Sequence, residues 1–515
     1  MQATQRYDVI IVGTGAGGGT LLHELAPTGK RILAIERGGY LPRERDNWDS
    51  RAVFVDNKYK AEETWLDRNG RRFRPEIHYY VGGNTKLYGA ALLRFQPRDF
   101  EEVRHHGGIS PAWPIRYEDL EPYYTMAENL YHVHGERGID PSEAESSGPY
   151  PFPALSHEPR IQELENDLRR VGCSPFPLPV GIMLDEDHPQ QSRCIRCLTC
   201  DGYPCMIHAK ADAETVCVKP ALEHPNVTLL THAYVDRIET DASGREVTGV
   251  RVERNGATET YQGDVVVLSC GAVNSAALLL QSRSDAHPGG LANSSDLVGR
   301  YYMCHNNSAF VSLSPKANHS VYPKTLALND FYFGSKDWEF PLGHIQTMGK
   351  ADAEKFRAAS PVPLPKALFD AISVRSLDFW LTSEDLPFTE NRVFVEADGT
   401  IRLHYRENNV EGHNRLNATL ERLLRKIGPG IGPLPLVFNL RKKIPLSGTT
   451  HQCGTLRFGR DAKTSVLDVD CRTHDVDNLY VVDGSFFPSS AAMNPALTIF
   501  ANALRVADHL KERLS

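Results

Sequence analysis

The first 36 residues constrain the fold of this chain more than any other segment. Residues 7–12 are apolar and rich in β-branched side chains, which is typical of a buried parallel strand. A glycine-rich turn at 13–19 and a helical pattern at 20–26 follow, and a second apolar strand at 31–36 ends in an acid. This order of strand, glycine turn, helix and strand predicts a Rossmann-type α/β unit.

The glycine turn has the features that bind a dinucleotide. Gly13 permits the tight turn off the strand, Gly15 lets the backbone approach a pyrophosphate, and Gly18 lets the helix pack closely on the strand. The free N–H groups at the N-terminus of the helix favour phosphates, and Ala16 in the turn is assigned to the cofactor site as well. Glu36 follows at a spacing of roughly 20 residues, where a carboxylate can accept hydrogen bonds from ribose hydroxyls. We therefore predict a bound dinucleotide.

Two further features favour FAD over NAD as that dinucleotide. The glycine motif lies at the extreme N-terminus, and Arg37 with two glycines directly follows the acid. A second glycine-rich loop contains Gly82, Gly83 and Asn84. Glycines in such a loop suggest a backbone pressed against a flat or bulky group, although an ordinary turn would explain them as well.

Length and charge exclude several other function classes. The 515 residues, of which 41% are hydrophobic, favour two domains or one domain with a large insertion. A net charge of −8 and a pI near 6.2 give no electrostatic reason to bind nucleic acid or anionic lipid. No apolar run reaches the roughly 20 residues of a membrane span, and no signal sequence precedes the first strand. We expect a cytoplasmic protein without a membrane span.

The middle of the chain predicts a discontinuous nucleotide domain. A buried strand at 264–269 leads into a glycine turn and a helix at 276–282, which suggests a return to the first unit. The expected fold is α/β, with a Rossmann-type FAD-binding domain and a substrate-binding domain built on a mixed or antiparallel sheet. We assign 1–105, 215–305 and 445–515 to the FAD-binding domain, 106–214 to an insertion or cap, and 306–444 to the substrate-binding domain.

The substrate region combines strand-like patches with aromatic and polar side chains. This composition predicts a sheet with one open face, on which a polyol could stack and form hydrogen bonds. Ordinary sheet packing explains the same residues equally well. They are Tyr322, Asn329, Phe331, Tyr332, Phe333, Trp338, His344, Gln346 and Trp380.

The C-terminal block carries the candidate chemistry. His451 opens a His-x-x-Gly-Thr segment, and Asn494 directly precedes the last helix. Pro495 suits the first turn of that helix, where no N–H is needed. The N–H groups that follow, at Ala496 and Leu497, would stabilise the negative charge of a reduced flavin. A routine start of a buried helix fits the same residues.

Taken together, these motifs resemble the glucose–methanol–choline (GMC) oxidoreductase family in order and spacing. The resemblance rests on the two glycine loops, the segment at 271–275 and the C-terminal block. It implies FAD and a catalytic pair formed by His451 and Asn494. It also implies an adenine contact at Val235 and contacts of Asp483 and Gly484 with the flavin phosphate and ribityl chain.

The resemblance leads to a mechanistic hypothesis. A neutral imidazole can accept the alcohol proton as the C–H hydride departs. We therefore expect His451 to act as the base, Asn494 to orient the alcohol oxygen, and flavin N5 to accept the hydride. Some relatives attach FAD through a histidine where this chain has Leu87, so a non-covalent flavin is expected. The nearby His78 leaves covalent attachment open.

Four cysteines lie close together at Cys194, Cys197, Cys200 and Cys205. Their spacing suits an iron–sulfur cluster or zinc, and no other metal ligands are assigned. Reduced, packed thiols without a metal are the simpler interpretation, because no secretion signal indicates a disulfide framework.

The predicted function is FAD-dependent oxidation of a CH–OH group in a small-molecule alcohol, preferably a sugar or glycoside hydroxyl. Oxidation of an apolar or aromatic alcohol is the alternative within the same chemistry. A non-redox flavin lyase of the same fold, or a flavin-binding scaffold without turnover, are alternatives of other classes. Oxygen, a quinone or a redox protein could each accept the electrons.

Overall fold

The computed structural model of the chain describes residues 6–360, 365–428 and 439–515. Within these ranges, strands β1 to β22 are, in chain order, Arg6–Val12, Ile32–Ile35, Trp65–Asp67, Arg72–Phe73, Val103–His105, Gly108–Ser110, Val133–Gly135, Phe152–Pro153, Phe176–Pro177, Val180–Gly181, Val227–Leu230, Tyr234–Thr240, Val247–Arg254, Ala257–Leu268, Asn306–Leu313, Leu326–Leu328, His344–Thr347, Ser376–Ser383, Arg392–Val395, Ile401–His404, Asn439–Lys443 and Leu479–Val481. Helices α1 to α9 in the same ranges are Ala16–Leu25, Tyr117–Leu130, Pro159–Arg170, Lys219–Ala221, Ala272–Gln281, Ala353–Ala359, Lys366–Ser373, Val410–Ile427 and Ala496–Leu514.

A parallel sheet organises the nucleotide-binding half. Its strand order is β11-β2-β1-β14, β22 pairs with the other side of β14, and all of these pairs are parallel. Successive side chains such as Ile10 and Ile11 point to opposite faces, yet both are fully buried. The sheet is therefore covered on both faces, as expected for a Rossmann-type unit.

Strand β14 links this parallel sheet to an antiparallel extension. Its last residues pair with β1 and β22, and its first residues pair with β13, which pairs with β12. Strand β11 joins the parallel sheet rather than this extension, and the chain turns between β11 and β12 at His232, whose φ is +53°.

Helices α1, α2 and α9 pack together beside the parallel sheet, with α1 and α2 each contacting α9. The apolar side of α9 includes Leu497, Phe500 and Leu504, each at most 1% exposed. Burial of this face stabilises the end of the chain against its beginning.

A six-stranded antiparallel sheet forms the centre of the substrate region, in the order β21-β15-β18-β17-β16-β9. Helix α8 packs on β15 and β18, and α3 packs on α8. The sequence interpretation treated this region as sheet and overlooked α8. The signal was present, since Leu416, Leu420, Leu423 and Leu424 recur at helical spacing and are all buried.

The strands expected to form one sheet between 306 and 444 are divided between two sheets. Strands β19 and β20 pair with β3 and β4 in a four-stranded sheet. Arg402 and Leu403 on β20 pair in parallel with Leu66 and Asp67 on β3. Two smaller sheets, β10-β7-β8 and β5-β6, lie in the stretch between residues 103 and 181.

The sheets cross the boundaries of the assigned domains. All seven strands of the first sheet fall within the ranges assigned to the FAD-binding domain. However, β3 and β4 join the substrate region, and β9 joins it from the assigned insertion. The division into domains stays a prediction.

Across the described ranges, the structure contains no helix that is both long enough and apolar enough to cross a membrane. The cytoplasmic location stays a prediction.

Candidate active site

A cleft of about 450 Å³ lies at the carboxyl edge of the parallel sheet. Gly13, Glu36 and Ser269 directly follow β1, β2 and β14, and Asp483 follows β22 closely. Ligands of open parallel sheets bind at this edge. The predicted cofactor residues that line the cleft are Gly13, Gly15, Ala16, Glu36, Arg37, Gly83, Asn84, Val235, Asp483 and Gly484.

Backbone contacts give the first glycine loop its shape. Gly13 has a φ of +94°, and a Cβ there would lie 2.3 Å from the Ser269 carbonyl oxygen. A Cβ on Gly18 would lie 2.0 Å from the Gly13 oxygen, and the Gly18 N–H donates to Ser269 Oγ at 2.7 Å. A Cβ on Gly15, by contrast, would meet Gly83 Cα only at 3.8 Å. Gly15 therefore leaves free space toward the cleft, whereas close backbone contacts fix Gly18 and also Gly13, which lines the cleft too.

Glu36 is held at the edge of the cleft by the backbone. Its Oε2 accepts the Thr14 N–H at 3.0 Å and the Thr14 hydroxyl at 2.7 Å, while its Oε1 accepts the Gly38 N–H at 3.0 Å. Burial raises the pKa of the Glu36 carboxyl, and these hydrogen bonds oppose that rise. The residue thus fixes the first turn and also borders the site where a ribose is predicted.

Arg37 belongs to a cluster that the sequence motifs did not indicate. Its guanidinium lies 4.1 Å from the ring centroid of Tyr79 and 4.7 Å from that of Tyr234, and Nη2 donates to Glu63 at 2.8 Å. All four side chains line the cleft, and Trp65 lines it too. No local spacing connects positions 37, 63, 79 and 234, so only the fold reveals the cluster.

The second glycine loop approaches the first one. A Cβ on Gly83 would lie 3.0 Å from Gly15 Cα, and Gly82 adopts a φ of +93°. Asn84 accepts the His78 N–H through Oδ1 at 2.9 Å. Gly82 forms the turn and does not line the cleft, whereas Gly83 and Asn84 do line it.

Leu87 and His78 lie in different surroundings. Leu87 is buried in an apolar cluster with Leu41, Val53 and Tyr59. His78 lines the cleft, and its Nδ1 lies 2.8 Å from the Tyr59 carbonyl oxygen.

Asp483 connects three segments at the other side of the cleft. Its Oδ2 accepts the Gly271 N–H at 3.0 Å and also the Ser275 hydroxyl, and its Oδ1 accepts the Ser485 N–H at 2.9 Å. Burial raises the pKa of the Asp483 carboxyl. Asp483 therefore fixes the glycine turn before α5, and Val235 lines the same cleft from β12.

The predicted catalytic pair is brought together. Asn494 Nδ2 lies 3.5 Å from His451 Nε2, which is long for a hydrogen bond. Asn494 Oδ1 is buried and has no hydrogen-bond partner within the described part of the chain. Pro495, Ala496 and Leu497 begin helix α9 immediately after Asn494, outside the lining of the cleft. A hydroxyl that contacts both side chains could replace this long direct contact with two shorter hydrogen bonds.

The sequence interpretation missed a second histidine at this site. His305 Nδ1 lies 3.1 Å from His451 Nδ1, and His305 Nε2 lies 2.9 Å from the Ser490 carbonyl oxygen. An antiparallel bridge between Met303 and Cys453 explains the contact, since the same register places 305 opposite 451. Only this long-range pairing, 146 residues apart in sequence, could have revealed it.

The electrostatics of the site keep both imidazoles neutral. Burial, followed by the neighbouring His305 and Lys324, holds the pKa of His451 well below its usual range. Burial also lowers the pKa of His305, although Asp385 opposes that shift. A neutral imidazole is the form that can accept a proton.

Several polar residues of the proposed substrate platform satisfy one another. His344 is fully buried, with Nδ1 at 2.8 Å from Asn329 Oδ1 and Nε2 at 3.1 Å from Gln346 Oε1. The Tyr332 hydroxyl accepts the Ala492 N–H at 3.0 Å, two residues before Asn494. These contacts favour sheet packing for His344, and they connect Tyr332 to the loop that carries Asn494.

The four clustered cysteines are half-buried. Burial raises the pKa of Cys194 to about 11 and that of Cys200 to about 12, which favours protonated thiols. No group of three or more His, Cys, Asp or Glu residues in the described ranges is arranged to hold a metal ion. The cysteines as placed do not fit an iron–sulfur or zinc site.

Comparison with known sequences decides the family. Residues 7–305 match the N-terminal part of the GMC oxidoreductase family, and residues 439–503 match its C-terminal part. The chain belongs to the GMC oxidoreductase family.

Two curated GMC relatives resemble the chain over nearly its whole length. It is 32% identical to a 6'''-hydroxyparomomycin C oxidase of Streptomyces lividus, over 99% of this chain and 92% of that protein. It is 31% identical to a paromamine 6'-oxidase of Streptomyces fradiae, over 97% and 90% of the two chains. The chain is therefore an enzyme and an oxidoreductase.

A solved GMC structure has the same fold. Pyridoxine 4-oxidase from Mesorbium loti superposes with a TM-score of 0.68 at 17% identity, covering 98% of this chain and 99% of that one. The predicted α/β fold with a GMC arrangement is thus confirmed.

Membership of the GMC family implies FAD, and the observed residues fit that cofactor. Gly15 leaves open space on the cleft, the start of α1 presents backbone N–H groups, and Glu36 and Asp483 border the cleft with hydrogen-bonding oxygens. Asn494 Oδ1, just before α9, is in addition a buried polar atom without a hydrogen-bond partner in the described ranges.

Proposed function

We propose that this enzyme oxidises a CH–OH group of a sugar or glycoside, with His451 as the base. The observation that carries the proposal is the pairing of His451 Nε2 with Asn494 Nδ2 across 3.5 Å, beside an unpaired Asn494 Oδ1. A hydroxyl between these side chains could donate to His451 and accept from the Asn494 amide. Both hydrogen bonds could be shorter and stronger than the direct contact at 3.5 Å.

The protein side of the reaction follows from these contacts. His451 is neutral because its pKa is lowered, so its imidazole can take the hydroxyl proton as the O–H bond breaks. Asn494 holds the oxygen and fixes which C–H bond is presented. A bound flavin would supply the redox chemistry by accepting the hydride at N5.

We propose that FAD is held without a covalent bond. Gly15 and Ala16 form its pyrophosphate site, Gly13 and Gly18 give that loop its shape, and Glu36 forms its ribose site. Leu87 occupies the position at which some relatives carry an attaching histidine, and it packs into an apolar cluster. Other proposed contacts are Arg37, Gly82, Gly83, Asn84, Val235, Asp483, Gly484, Pro495, Ala496 and Leu497. Acid precipitation of the holoenzyme should release the flavin into the supernatant.

The substrate class is proposed from the relatives and the residues of the site. Both relatives described above are named for oxidation of paromomycin- or paromamine-type compounds. A hydroxyl held by one imidazole and one amide suits such a polyhydroxylated compound. Oxidation of an apolar or aromatic alcohol would use the same pair of side chains and remains the alternative. The four cysteines are left out of the mechanism, and iron analysis of the purified protein checks that omission.

The test of the proposal is anaerobic mixing with a panel of alcohols, followed by flavin absorbance. Paromamine, glucose, a long aliphatic alcohol and benzyl alcohol are the probes. We expect paromamine or glucose to bleach the flavin, and oxygen to restore its colour, since both relatives are named oxidases. A quinone is assayed in parallel as the acceptor. A lyase or a scaffold would leave the flavin oxidised with every probe.

The base is tested with His451→Ala in the same assay. Removal of a general base should slow flavin reduction by about 10²- to 10⁴-fold. His474→Ala is the matched control, because the half-buried His474 side chain lies outside the site and contacts the Ser465 hydroxyl through Nε2. Flavin reduction at a near-normal rate in His451→Ala would refute the assignment.

A further inference from the structure

We propose that His305 is a positioning residue that fixes the tautomer of His451 and directs the lone pair of Nε2 toward the substrate hydroxyl. The inference rests on the proposed function, because it concerns the protonation state of the proposed base. It assigns a role to a residue that neither the sequence motifs nor the family comparison indicated.

The first step concerns His305 alone. Its Nε2 lies 2.9 Å from the Ser490 carbonyl oxygen, and a carbonyl can only accept a hydrogen bond. Nε2 must therefore carry the proton. In a neutral imidazole the other nitrogen, Nδ1, is then an acceptor.

The second step shows how the tautomer of His305 fixes the tautomer of His451. The two Nδ1 atoms are 3.1 Å apart, and that of His305 has no proton. His451 must therefore donate through its own Nδ1–H, which leaves Nε2 of the neutral ring without a proton. The opposite tautomer would bring two lone pairs together and would point an N–H at the Asn494 amide, 3.5 Å away.

The backbone holds His305 in a conformation that a non-glycine residue seldom adopts. Its φ is +63°, and its N–H donates to Asp385 Oδ1 at 2.9 Å. The Cys304 N–H and the Tyr405 hydroxyl donate to Asp385 Oδ2 at 3.0 Å and 2.9 Å. Backbone strain that is retained in this way commonly marks a functional site.

Burial outweighs the charged groups near the pair. Asp385 and Glu384, just after β18, raise the pKa of His305 against the larger effect of burial, whereas Lys324, in the loop before β16, lowers the pKa of His451 further. Burial raises the pKa of the nearby thiols Cys304 and Cys453, so both remain uncharged. Burial lowers the pKa of both imidazoles, and neither carries a second proton at neutral pH.

The arrangement has a direct catalytic consequence. When the alcohol O–H bond breaks, the new N–H bond forms at His451 Nε2. The existing Nδ1–H remains bonded to His305, so no proton has to leave the ring first. Without His305, a fraction of His451 would carry its proton on Nε2 and could not act as a base.

Two substitutions separate this role from simple packing. In His305→Asn, Oδ1 lies near the former Nδ1 position and can still accept from His451. In His305→Gln, the longer amide reaches toward Ser490 and offers His451 no acceptor at that position. The two variants are similar in polarity, so a purely structural role predicts similar behaviour.

The measurements are the ¹⁵N shifts of the histidine rings in the FAD-loaded enzyme and the rate of anaerobic flavin reduction with the substrate found in the panel. Signals of His451 are identified by their absence in His451→Gln. We expect Nδ1–H and bare Nε2 for His451 in the wild type and in His305→Asn, and a mixture of tautomers in His305→Gln. Loss of one hydrogen bond should slow His305→Gln by about 3- to 10-fold relative to His305→Asn.

The proposal is overturned if His451 in the wild type carries its proton on Nε2, or if both variants show the same tautomer and rate. Should His305→Gln fail to bind flavin, the wild-type shifts alone decide. Failure of the proposed function is distinguishable, because His451→Ala would then reduce its flavin normally. A slow His451→Ala with a reversed tautomer would refute only the role of His305.

Discussion

The nucleotide cleft is formed by close backbone contacts, whereas the base site is formed by contacts between side chains. In the cleft, glycines bring backbone segments so close together that a Cβ on Gly17 would lie 2.0 Å from the Val482 oxygen. At the base site, side chains form a chain of contacts from Ser490 through His305 and His451 to Asn494. Binding in the cleft therefore depends on the shape of the backbone, and activity at the base site depends on which nitrogen atoms carry protons.

This difference determines how each region responds to substitution. An added methyl group in the cleft displaces backbone, so its effect appears in folding or in flavin binding. A polar substitution at the base site preserves the shape but changes donors and acceptors, so its effect appears in the rate. The following predictions test that contrast.

The largest effect is expected in the first glycine loop. Gly17→Ala should lower the free energy of unfolding by about 1–3 kcal/mol, because the Cβ would overlap backbone that cannot move freely. The protein should be purified largely without flavin. Thermal unfolding and the ratio of flavin to protein absorbance measure both effects.

Gly15→Ala is the matched variant for that experiment. A Cβ on Gly15 would meet Gly83 Cα only at 3.8 Å, so the fold should keep its stability. The methyl group would project into the cleft, and we expect FAD affinity to fall by about 10-fold or more. Equal unfolding temperatures for Gly15→Ala and Gly17→Ala would contradict the assignment of their roles.

A smaller effect is expected from Asn494→Ala. Loss of one hydrogen bond to a developing oxyanion should slow flavin reduction by about 10- to 100-fold while flavin remains bound. Rapid-mixing absorbance under saturating substrate measures this rate.

Asn417→Ala provides the comparison for Asn494→Ala. Asn417 also has an unpaired buried Oδ1 within the described residues, but it lies on α8, away from the cleft. Its variant should reduce flavin at the wild-type rate. A similar loss of rate in both variants would show that Asn494 acts through general packing.

The smallest effect is expected in the stability of the protein at acid pH, and it comes from a buried histidine that packs on the six-stranded sheet. His413 is fully buried between the Ser308 and Ser383 hydroxyls, and burial lowers its pKa to about 3. Between that value and about 6.5 the unfolded chain binds a proton that the folded chain does not, so stability falls as pH falls. At pH 5 the loss from this group is about 2 kcal/mol.

His413→Gln removes that titration. We expect its Tm to fall less than that of the wild type between pH 7 and pH 5, by about 2–4 °C. The cleft carboxylates Glu36 and Asp483 have raised pKa values and respond in the opposite direction, losing stability as pH rises above their ordinary range. Identical acid shifts in the variant and the wild type would contradict the role of His413.

The same contrast explains what could be predicted from the sequence. The cleft rests on local patterns, so order and spacing alone predicted the strand that ends at Val12 and the glycine loop after it, which lines the cleft together with Glu36. Their contacts with FAD stay a prediction. The last helix was likewise indicated by Pro495 and the apolar residues after it.

The rest depends on contacts between distant segments. His305 meets His451 only because the Met303–Cys453 bridge fixes the register, and the Arg37 cluster joins positions far apart in the chain. The platform residue His344 was indistinguishable from packing until its partners Asn329 and Gln346 were known. Helix α8 was missed although its leucine spacing was visible.

The pairing of β3 with β20 limits how this enzyme can be recombined with its relatives. A graft of residues 306–444 alone would bring in a foreign β20 beside the native β3, so the hydrogen bonds at Leu66 and Asp67 would depend on an untested match. Chimeras intended to exchange specificity should therefore carry residues 65–73 together with 392–404. The hybrid would then inherit an intact four-stranded sheet from one parent.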